Sequence, residues 1–207
     1  MFNVESWLSS GGLLLLAAIV FAESGLLIGF FLPGDSLLFI AGFLSSSAGG
    51  HILPSLPLTA GVVFVAAVAG DQTGYLIGKR LGPSLFTRPQ SRLFNPSRVV
   101  HARTFFERKG PTAVILARFV PVMRTFTPIV AGVAEMRYRT FVIYNVIGGA
   151  LWGIGLTTAG YYFGEIEFVK KNLDYVAVSI VVISLVPVLL EYRKIRAHDR
   201  GEPSPQG

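Results

Sequence analysis

An apolar stretch with two arginines, residues 111–132 (PTAVILARFVPVMRTFTPIVAG), constrains the fold of this chain more than any other feature. It is apolar enough for a bilayer, yet an arginine at a membrane-helix centre costs about 2.5–3.5 kcal/mol on insertion scales. Pro121 and Pro128 remove backbone donors, and broken backbone at membrane depth is tolerated only inside protein or beside water. Side chains six residues apart on an unbroken helix point about 120° apart, so a break at Pro121 would turn Arg118 and Arg124 toward one point. We therefore predict a re-entrant hairpin that presents two fixed positive charges inside the membrane.

The composition supports a membrane setting. Of 207 residues, 52% are hydrophobic and only 14% are charged, whereas soluble domains carry about 25% charged residues. The chain has no cysteine, which excludes disulfides and thiolate metal sites. Its three histidines are scattered without metal-ligand spacing, so no metal and no cofactor is expected. The basic residues follow the ends of apolar segments, which favours membrane topology over nucleic-acid binding.

Several apolar segments follow one another along the chain. Residues 11–31 end at Pro33-Gly34, and residues 36–44 are too short to span a bilayer. These two arms indicate a second re-entrant hairpin, with a full span by the first arm as the alternative. Spanning helices are predicted over three further ranges, which are residues 58–78 (with Asp71), 140–164 (with Asn145 and Trp152) and 173–192.

The basic segments predict an orientation. Residues 79–111 carry eight Lys/Arg against one acid, and their middle is predicted to form an amphipathic helix on the membrane surface. This segment acts either as a topology signal or as a binding surface for anionic headgroups. If this segment lies in the cytoplasm, the span at 140–164 leaves the cytoplasm and the span at 173–192 returns to it. The basic tail, residues 193–207, is then cytoplasmic and is predicted to be disordered. No Lys or Arg precedes the first apolar segment, so a cleaved signal peptide is not expected.

The two halves of the chain share a pattern. Phe-x-Pro, Ala-Gly and Gly-Tyr-x-x-Gly occur in this order in both halves, approximately residues 11–82 and 105–164. Gly74 and Gly78 belong to the first Gly-Tyr-x-x-Gly. A hairpin plus one span crosses the membrane an odd number of times, so the second copy must be inverted, as in secondary transporters. We predict an all-α polytopic membrane protein, one domain over residues 1–192, with two re-entrant helical hairpins and spanning helices in an inverted repeat.

The charges divide between these halves. Glu23, Asp35 and Asp71 lie in the first half, whereas Arg118 and Arg124 lie in the second. Intramembrane carboxylates can carry protons, and arginine binds phosphate bidentately. The combination is suited to a proton-coupled carrier of a phosphate compound. The alternative is that the charges only neutralise one another, although buried ion pairs are a costly way to hold a protein together.

Linked motifs in residues 20–165 resemble the DedA family of membrane proteins, also called SNARE-associated or VTT-domain proteins. They are Glu23, FLPGDSLLFIAG, GDQTGYLIGKRLG and ARFVPVMRTFTPIVAG, followed by Met136, Phe141, Asn145 and Trp152. The resemblance implies a bacterial inner-membrane protein in which two re-entrant hairpins meet between spanning helices. It further implies transport of lipids such as undecaprenyl phosphate or a phospholipid. The family's functional positions match Glu23, Asp35, Arg118 and Arg124.

Two other function classes remain as alternatives. A proton-coupled exporter of small ions or drugs would use the same acids, although the arginines favour an anionic cargo. An intramembrane enzyme acting on lipid phosphates would need a histidine near the arginines, and their stretch has none. Gly74 to Lys79 is one residue short of a phosphate-binding P-loop and lacks the Ser/Thr that follows it. We expect a carrier and not an enzyme, with membrane lipids and protons as its partners.

Overall fold

The regular structure is entirely helical in the part of the chain that this computed structural model describes, which is residues 4–26, 34–86, 110–180 and 182–183. The all-α prediction is confirmed for these residues. The helices are α1 (Val4–Gly25), α2 (Gly34–Leu44), α3 (Leu56–Phe86), α4 (Thr112–Ala117), α5 (Pro121–Val133), α6 (Tyr138–Gly149), a π-helical turn (Ala150–Ile154), α7 (Gly155–Phe163) and α8 (Glu167–Lys171). Residues 173–180 are also helical. The predicted amphipathic segment and basic tail lie outside the described residues.

Among the described residues, two helices are long and apolar enough to cross a membrane, Leu56–Gly82 and Tyr138–Phe163. They coincide with the spans predicted at 58–78 and 140–164. The first helix continues past residue 78, where the sequence predicted its end. Gly78 lies inside the helix, at a crossing with another helix. Lys79 and Arg80 on the extra turns are exposed. Their long side chains are thus free to reach a membrane surface.

The first two helices are shorter. α1 is kinked at Gly12, where φ is 60°, and its straight apolar part is Gly12–Gly25. A span needs about 20 residues. A full crossing by this arm would therefore have to include residues before the kink, whereas α2, Gly34–Leu44, is too short to cross alone.

Glycines permit two close helix crossings. Helix α2 packs on α7, and a Cβ added at Gly42 or Gly160 would overlap the backbone of Thr157 or Phe39, respectively. At the other crossing α5 packs on α3. The absence of a Cβ at these positions lets the two backbones approach closely, which is a common way of joining helices in membranes.

The crossing between α5 and α3 uses the glycines of the Gly-Tyr-x-x-Gly motif. A Cβ at Gly78 would overlap the Ile129 carbonyl, and one at Gly132 would overlap the Tyr75 carbonyl. Gly74 faces Pro128, whose Cβ would lie 3.2 Å from an added methyl group. The motif glycines predicted to be structural therefore act in helix packing.

The crossing between α2 and α7 provides a test with an internal control. Gly160→Ala should destabilise the protein by about 1–3 kcal/mol, because the added methyl group has no space beside the Phe39 backbone. Gly155→Ala, in the same helix, should be neutral or slightly stabilising, since nothing lies within 4 Å of its Cβ position. Thermal unfolding midpoints in detergent measure both. Equal midpoints for the two variants would contradict the close crossing.

Candidate functional site

The helix that carries the two arginines is broken immediately before Pro121. Helix α4 ends at Ala117, and three backbone hydrogen bonds of the i to i+3 type tighten the turn that follows it. Val120 is extended, with φ −118° and ψ 110°, and α5 begins at Pro121, where a missing backbone N–H costs nothing. The predicted break at Pro121 is thus confirmed. Pro128, by contrast, lies inside α5 without ending it.

Arg124, in the first turns of α5, binds two carboxylates at once. Its Nη2 donates to Oε1 of Glu23, and its Nη1 donates to Oδ1 of Asp35 at 2.6 Å. The guanidinium carbon lies 4.5 Å from the ring centroid of Trp152, and the indole Nε1 donates to the same Asp35 oxygen at 2.7 Å. Glu23 and Arg124 are 1% and 3% exposed, so water does not screen these charges.

Helix ends and one irregular turn bring these groups together. Glu23 lies in the last turn of α1, and Asp35 lies in the first turn of α2. The backbone N–H of Gly34 donates a hydrogen bond to the Glu23 carboxylate, and a Cβ at Gly34 would overlap that carboxylate. Trp152 lies in the π-helical turn Ala150–Ile154, and such turns are frequent at functional sites. Pro33, the proline of the first Phe-x-Pro motif, lies outside the described residues.

Arg118, at the end of α4, has a different set of partners. Its Nη2 donates to Oδ2 of Asp71 on α3 and to Oδ1 of Asn145 on α6. The Asn145 amide in turn donates to the Val68 carbonyl on α3 at 3.3 Å. Arg118 is 2% exposed, and its side chain lies across two glycines of α6, with its Cδ 3.0 Å from where a Cβ at Gly148 would be.

Both guanidiniums turn into one buried region and interact with each other, but they do not share a binding partner. Each binds its own carboxylate set, because Arg118 precedes the break and lies between α3 and α6, whereas Arg124 follows it and meets the ends of α1 and α2. The two sets are nevertheless neighbours, since Asp71 also interacts electrostatically with Arg124. Together they form one buried charge cluster of three carboxylates and two guanidiniums, with a formal excess of one negative charge.

The cluster retains unused hydrogen-bonding capacity. Some buried polar atoms in it and beside it have no hydrogen-bond partner among the described residues, and a buried polar atom without a partner is costly. They are Glu23 Oε2, Ser24 Oγ, Asp71 Oδ1, Gln72 Oε1, Arg118 Nε, Arg118 Nη1 and Arg124 Nε. The site can therefore accept and donate further hydrogen bonds to a polar group that enters it.

Sequence reasoning missed three parts of this site. It marked Trp152 as a motif residue but not as a donor to Asp35, and it did not single out Ser24, Gln72 or the glycine pair Gly148-Gly149. The glycine pair is visible in the sequence as a signal for close approach on a spanning helix. The described residues contain no group of three or more His, Asp or Glu side chains that could hold a metal ion.

Comparisons with known proteins identify the family. The VTT-domain family model matches residues 32–162. Protein DedA of Escherichia coli K12 is 44% identical over 177 residues, which cover 86% of this chain and 80% of that protein. The chain belongs to the DedA family. The resemblance of the motifs is thereby confirmed, and this DedA-family chain is a membrane protein.

Other relatives of this DedA-family chain are also named as membrane proteins. Uncharacterized membrane protein Rv0364 of Mycobacterium tuberculosis H37Rv is 45% identical over 195 residues, covering 90% of this chain and 83% of that protein. Inner membrane protein YghB of Salmonella typhimurium LT2 is 33% identical over 166 residues, covering 80% and 74%. No solved structure gives a significant match. The matched VTT domain includes every residue of the charge cluster except Glu23.

Proposed function

We propose that this protein is a lipid carrier that moves a phosphate-bearing lipid across the bacterial inner membrane in exchange with protons, and that it is not an enzyme. The observation that carries the proposal is the buried charge cluster, with Arg118 and Arg124 held by three carboxylates inside a membrane protein. Ionisable groups at membrane depth are expensive, and they usually mark a substrate or proton pathway.

The arginines supply the argument for a phosphate. Arginine carries five N–H donors in a planar fork that matches phosphate oxygens, and it stays charged in a buried site. Arg124 already uses this fork on two carboxylates, which resemble phosphate oxygens in charge and geometry. An anionic lipid headgroup can therefore replace one of the two carboxylates and use the same donors of Arg124.

The excess negative charge supplies the argument for protons. A phosphate group would add at least one more negative charge to a cluster that is already negative, and an uncompensated buried charge is strongly unfavourable. Protonation of a carboxylate removes the excess and frees an arginine at the same time. Glu23, Asp35 and Asp71 are the candidate proton carriers, and headgroup entry is then linked to proton uptake.

We also propose the two re-entrant hairpins and the inverted repeat. The packing supports them, because α2 of the first half lies on α7 of the second, and α5 of the second half lies on α3 of the first. The same two motifs meet at both crossings, because Gly42 and Gly132 belong to the Ala-Gly pairs and Gly160 and Gly78 to the Gly-Tyr-x-x-Gly motifs, although Gly160 is the first glycine of its motif and Gly78 the last. In this arrangement α1–α2 and α4–α5 are the hairpins. The charge cluster then lies where their broken ends meet, as in transporters built from inverted repeats.

The orientation is testable by labelling. With residues 79–111 and the tail in the cytoplasm, Ser97→Cys and Ser204→Cys should react only with a permeant maleimide in intact cells. Asn172→Cys, between α8 and the helical residues 173–180, should react with an impermeant one. The chain has no native cysteine, so no background needs to be removed. Labelling of Ser97→Cys by the impermeant reagent would contradict the orientation.

The function itself is tested in liposomes that contain the purified protein. Polyprenyl phosphate with a radioactive phosphate is compared with headgroup-labelled phosphatidylglycerol and phosphatidylcholine, each with and without an imposed pH gradient. We expect movement of the phosphate monoester to accelerate with the gradient. Glu167→Gln, which changes an exposed carboxylate paired with Lys171, is a control that should leave transport unchanged. Gradient-driven movement of small cations or drugs without lipid movement would favour the exporter, and release of inorganic phosphate would favour the enzyme.

A further inference from the structure

The carboxylate of Glu23 occupies a position built for an anion. It accepts from Arg124 Nη2 and from the backbone N–H of Gly34, and the residue is 1% exposed. A Cβ at Gly34 would overlap this carboxylate, so glycine is what allows a charged group to lie against the backbone there. The arrangement of an arginine, a backbone N–H and a glycine without a side chain is typical of sites that bind phosphate oxygens.

The helix that begins at this point strengthens the arrangement. Helix α2 has 11 residues and starts at Gly34, so the positive end of its dipole faces the Glu23 carboxylate. One oxygen of this carboxylate, Oε2, and one nitrogen of the guanidinium that binds it, Nε of Arg124, lack a hydrogen-bond partner among the described residues. Arg124 therefore has one donor that its carboxylate partners do not use, and a group with more oxygen atoms than a carboxylate would satisfy it.

Arg118 also has unused donors, Nε and Nη1, but the helices that hold it are longer. Its side chain lies across Gly148 and Gly149. Its partners Asp71 and Asn145 are on Leu56–Gly82 and Tyr138–Phe163, the spanning candidates in the described part of the chain. Moving this guanidinium away from its partners would break its bonds to both of these helices. Glu23 and Asp35, in contrast, lie on the ends of the two short helices α1 and α2.

We infer that Glu23 is a resident substitute for the cargo, and that the phosphate group of the lipid replaces its carboxylate on Arg124 at the start of α2 while Arg118 keeps Asp71. This inference rests on the proposed function and assigns the headgroup site within it. Arg124 is then the arginine that changes partners, and Arg118 is the one that joins the spanning helices.

The exchange explains why transport should depend on protons. The charged groups that face Glu23 are Arg124 on α5 and Asp35 on α2, with Asp71 on α3 and Arg118 after α4 forming the neighbouring pair. Glu23 and a phosphate compete for the same guanidinium. Protonation of Glu23 removes the competing charge, so the affinity of the site for a phosphate should rise as the pH falls.

Two isosteric variants test the assignment. Glu23→Gln removes one of the two carboxylates of Arg124, and the comparison variant Asp71→Asn removes the carboxylate of Arg118. The control is Glu167→Gln, whose exposed carboxylate pairs with Lys171 outside the charge cluster. The probe is dihexyl phosphate, a diester that keeps one charge from pH 5 to pH 8, and binding to the full-length protein in detergent is followed by calorimetry. Trp152 fluorescence in a Trp7→Phe background gives a second readout beside Arg124, since the chain has only two tryptophans.

We expect Glu23→Gln to bind the probe about tenfold more tightly than wild type at pH 8, which corresponds to about 1.4 kcal/mol, and to lose most of its pH dependence. Asp71→Asn also removes a negative charge from the cluster, so it should tighten binding by a clearly smaller factor than Glu23→Gln. Glu167→Gln should keep the wild-type affinity and pH dependence. Tighter binding by Asp71→Asn alone would overturn the inference and assign the headgroup to Arg118. Unchanged affinity in both variants would also overturn it. If Glu23→Gln does not fold, Glu23→Asp, which withdraws the charge by one methylene, should bind the probe more tightly by a smaller factor.

The outcomes separate this inference from the proposed function. Liposome transport of a lipid phosphate with equal probe binding by wild type and Glu23→Gln would leave the carrier in place and remove Glu23 from the headgroup site. The absence of probe binding by wild type and by both variants at every pH would contradict the phosphate cargo itself, and the inference with it.

Discussion

Arg124→Lys is expected to abolish lipid transport while the protein still accumulates in the membrane. The guanidinium of Arg124 donates through different nitrogens to Glu23 and Asp35, and its flat face lies over Trp152. A lysine ammonium keeps the charge but is a single point on a flexible stem, so it cannot bridge two carboxylates in this geometry. We expect a loss of about 100-fold in the initial transport rate, the size of loss that a misplacement of about 1 Å causes at a reacting group.

Arg118→Lys is the matched comparison and should be milder. Arg118 uses only its Nη2 to reach Asp71 and Asn145, and a lysine ammonium has three donors with which to make both bonds. Rates in liposomes should be normalised to the amount of folded protein, measured by gel filtration in detergent. Equal loss in the two variants would contradict a special role for the fork of Arg124.

Removing Asp35 and Arg124 together should restore folding without restoring transport. Arg124→Gln alone leaves two buried carboxylates without a cation, and breaking a buried pair in this way costs about 3–5 kcal/mol. The double variant Asp35→Asn/Arg124→Gln removes one charge of each sign and leaves only Glu23 without a cation, so part of that loss should be recovered. If the ion pairs only hold the protein together, the double variant should be folded and active. If they take part in transport, it should be folded and inactive.

Asp35→Glu and Asp35→Asn complete the series. Glutamate can still take up a proton inside the site, whereas an amide can only form hydrogen bonds. We therefore expect partial gradient-driven transport in Asp35→Glu and none in Asp35→Asn. Trp152 donates to Asp35 as well, and an asparagine oxygen can still accept this bond, so the loss in Asp35→Asn would reflect the missing charge. Transport by Asp35→Asn at the wild-type rate would remove Asp35 from the mechanism.

The sequence predicted those parts of the structure that depend on local chemistry. Apolar length predicted the spans Leu56–Gly82 and Tyr138–Phe163, and the lack of a backbone donor in Pro121 predicted the helix break. Charges in apolar segments predicted all five ionisable residues of the cluster, because an unpaired charge in a membrane is too costly to be incidental.

The pairing of these charges could not be predicted, because it depends on how the helices cross. Nothing local distinguishes Asp71 from Asp35 as a partner for Arg118, and only the position of the Arg118 side chain between α3 and α6 decides it. The role of Gly34 was hidden for the same reason, since its missing side chain matters only once Glu23 lies against it. Pro128 shows the converse: a proline inside a helix is tolerated where neighbouring helices hold it.

The π-helical turn Ala150–Ile154 also fixes the rotational phase between the two ends of its span. One residue more than an α-helical turn requires offsets the segment after the turn by about 100° relative to a regular helix. Asn145, before the turn, and Gly160, after it, both face the interior with this offset included. Deleting Leu151, which is exposed, would let the helix become regular and rotate one of these contacts away from its partner. The number of residues between the two ends of the span is therefore constrained. Inserting or deleting one residue would rotate every side chain that follows it.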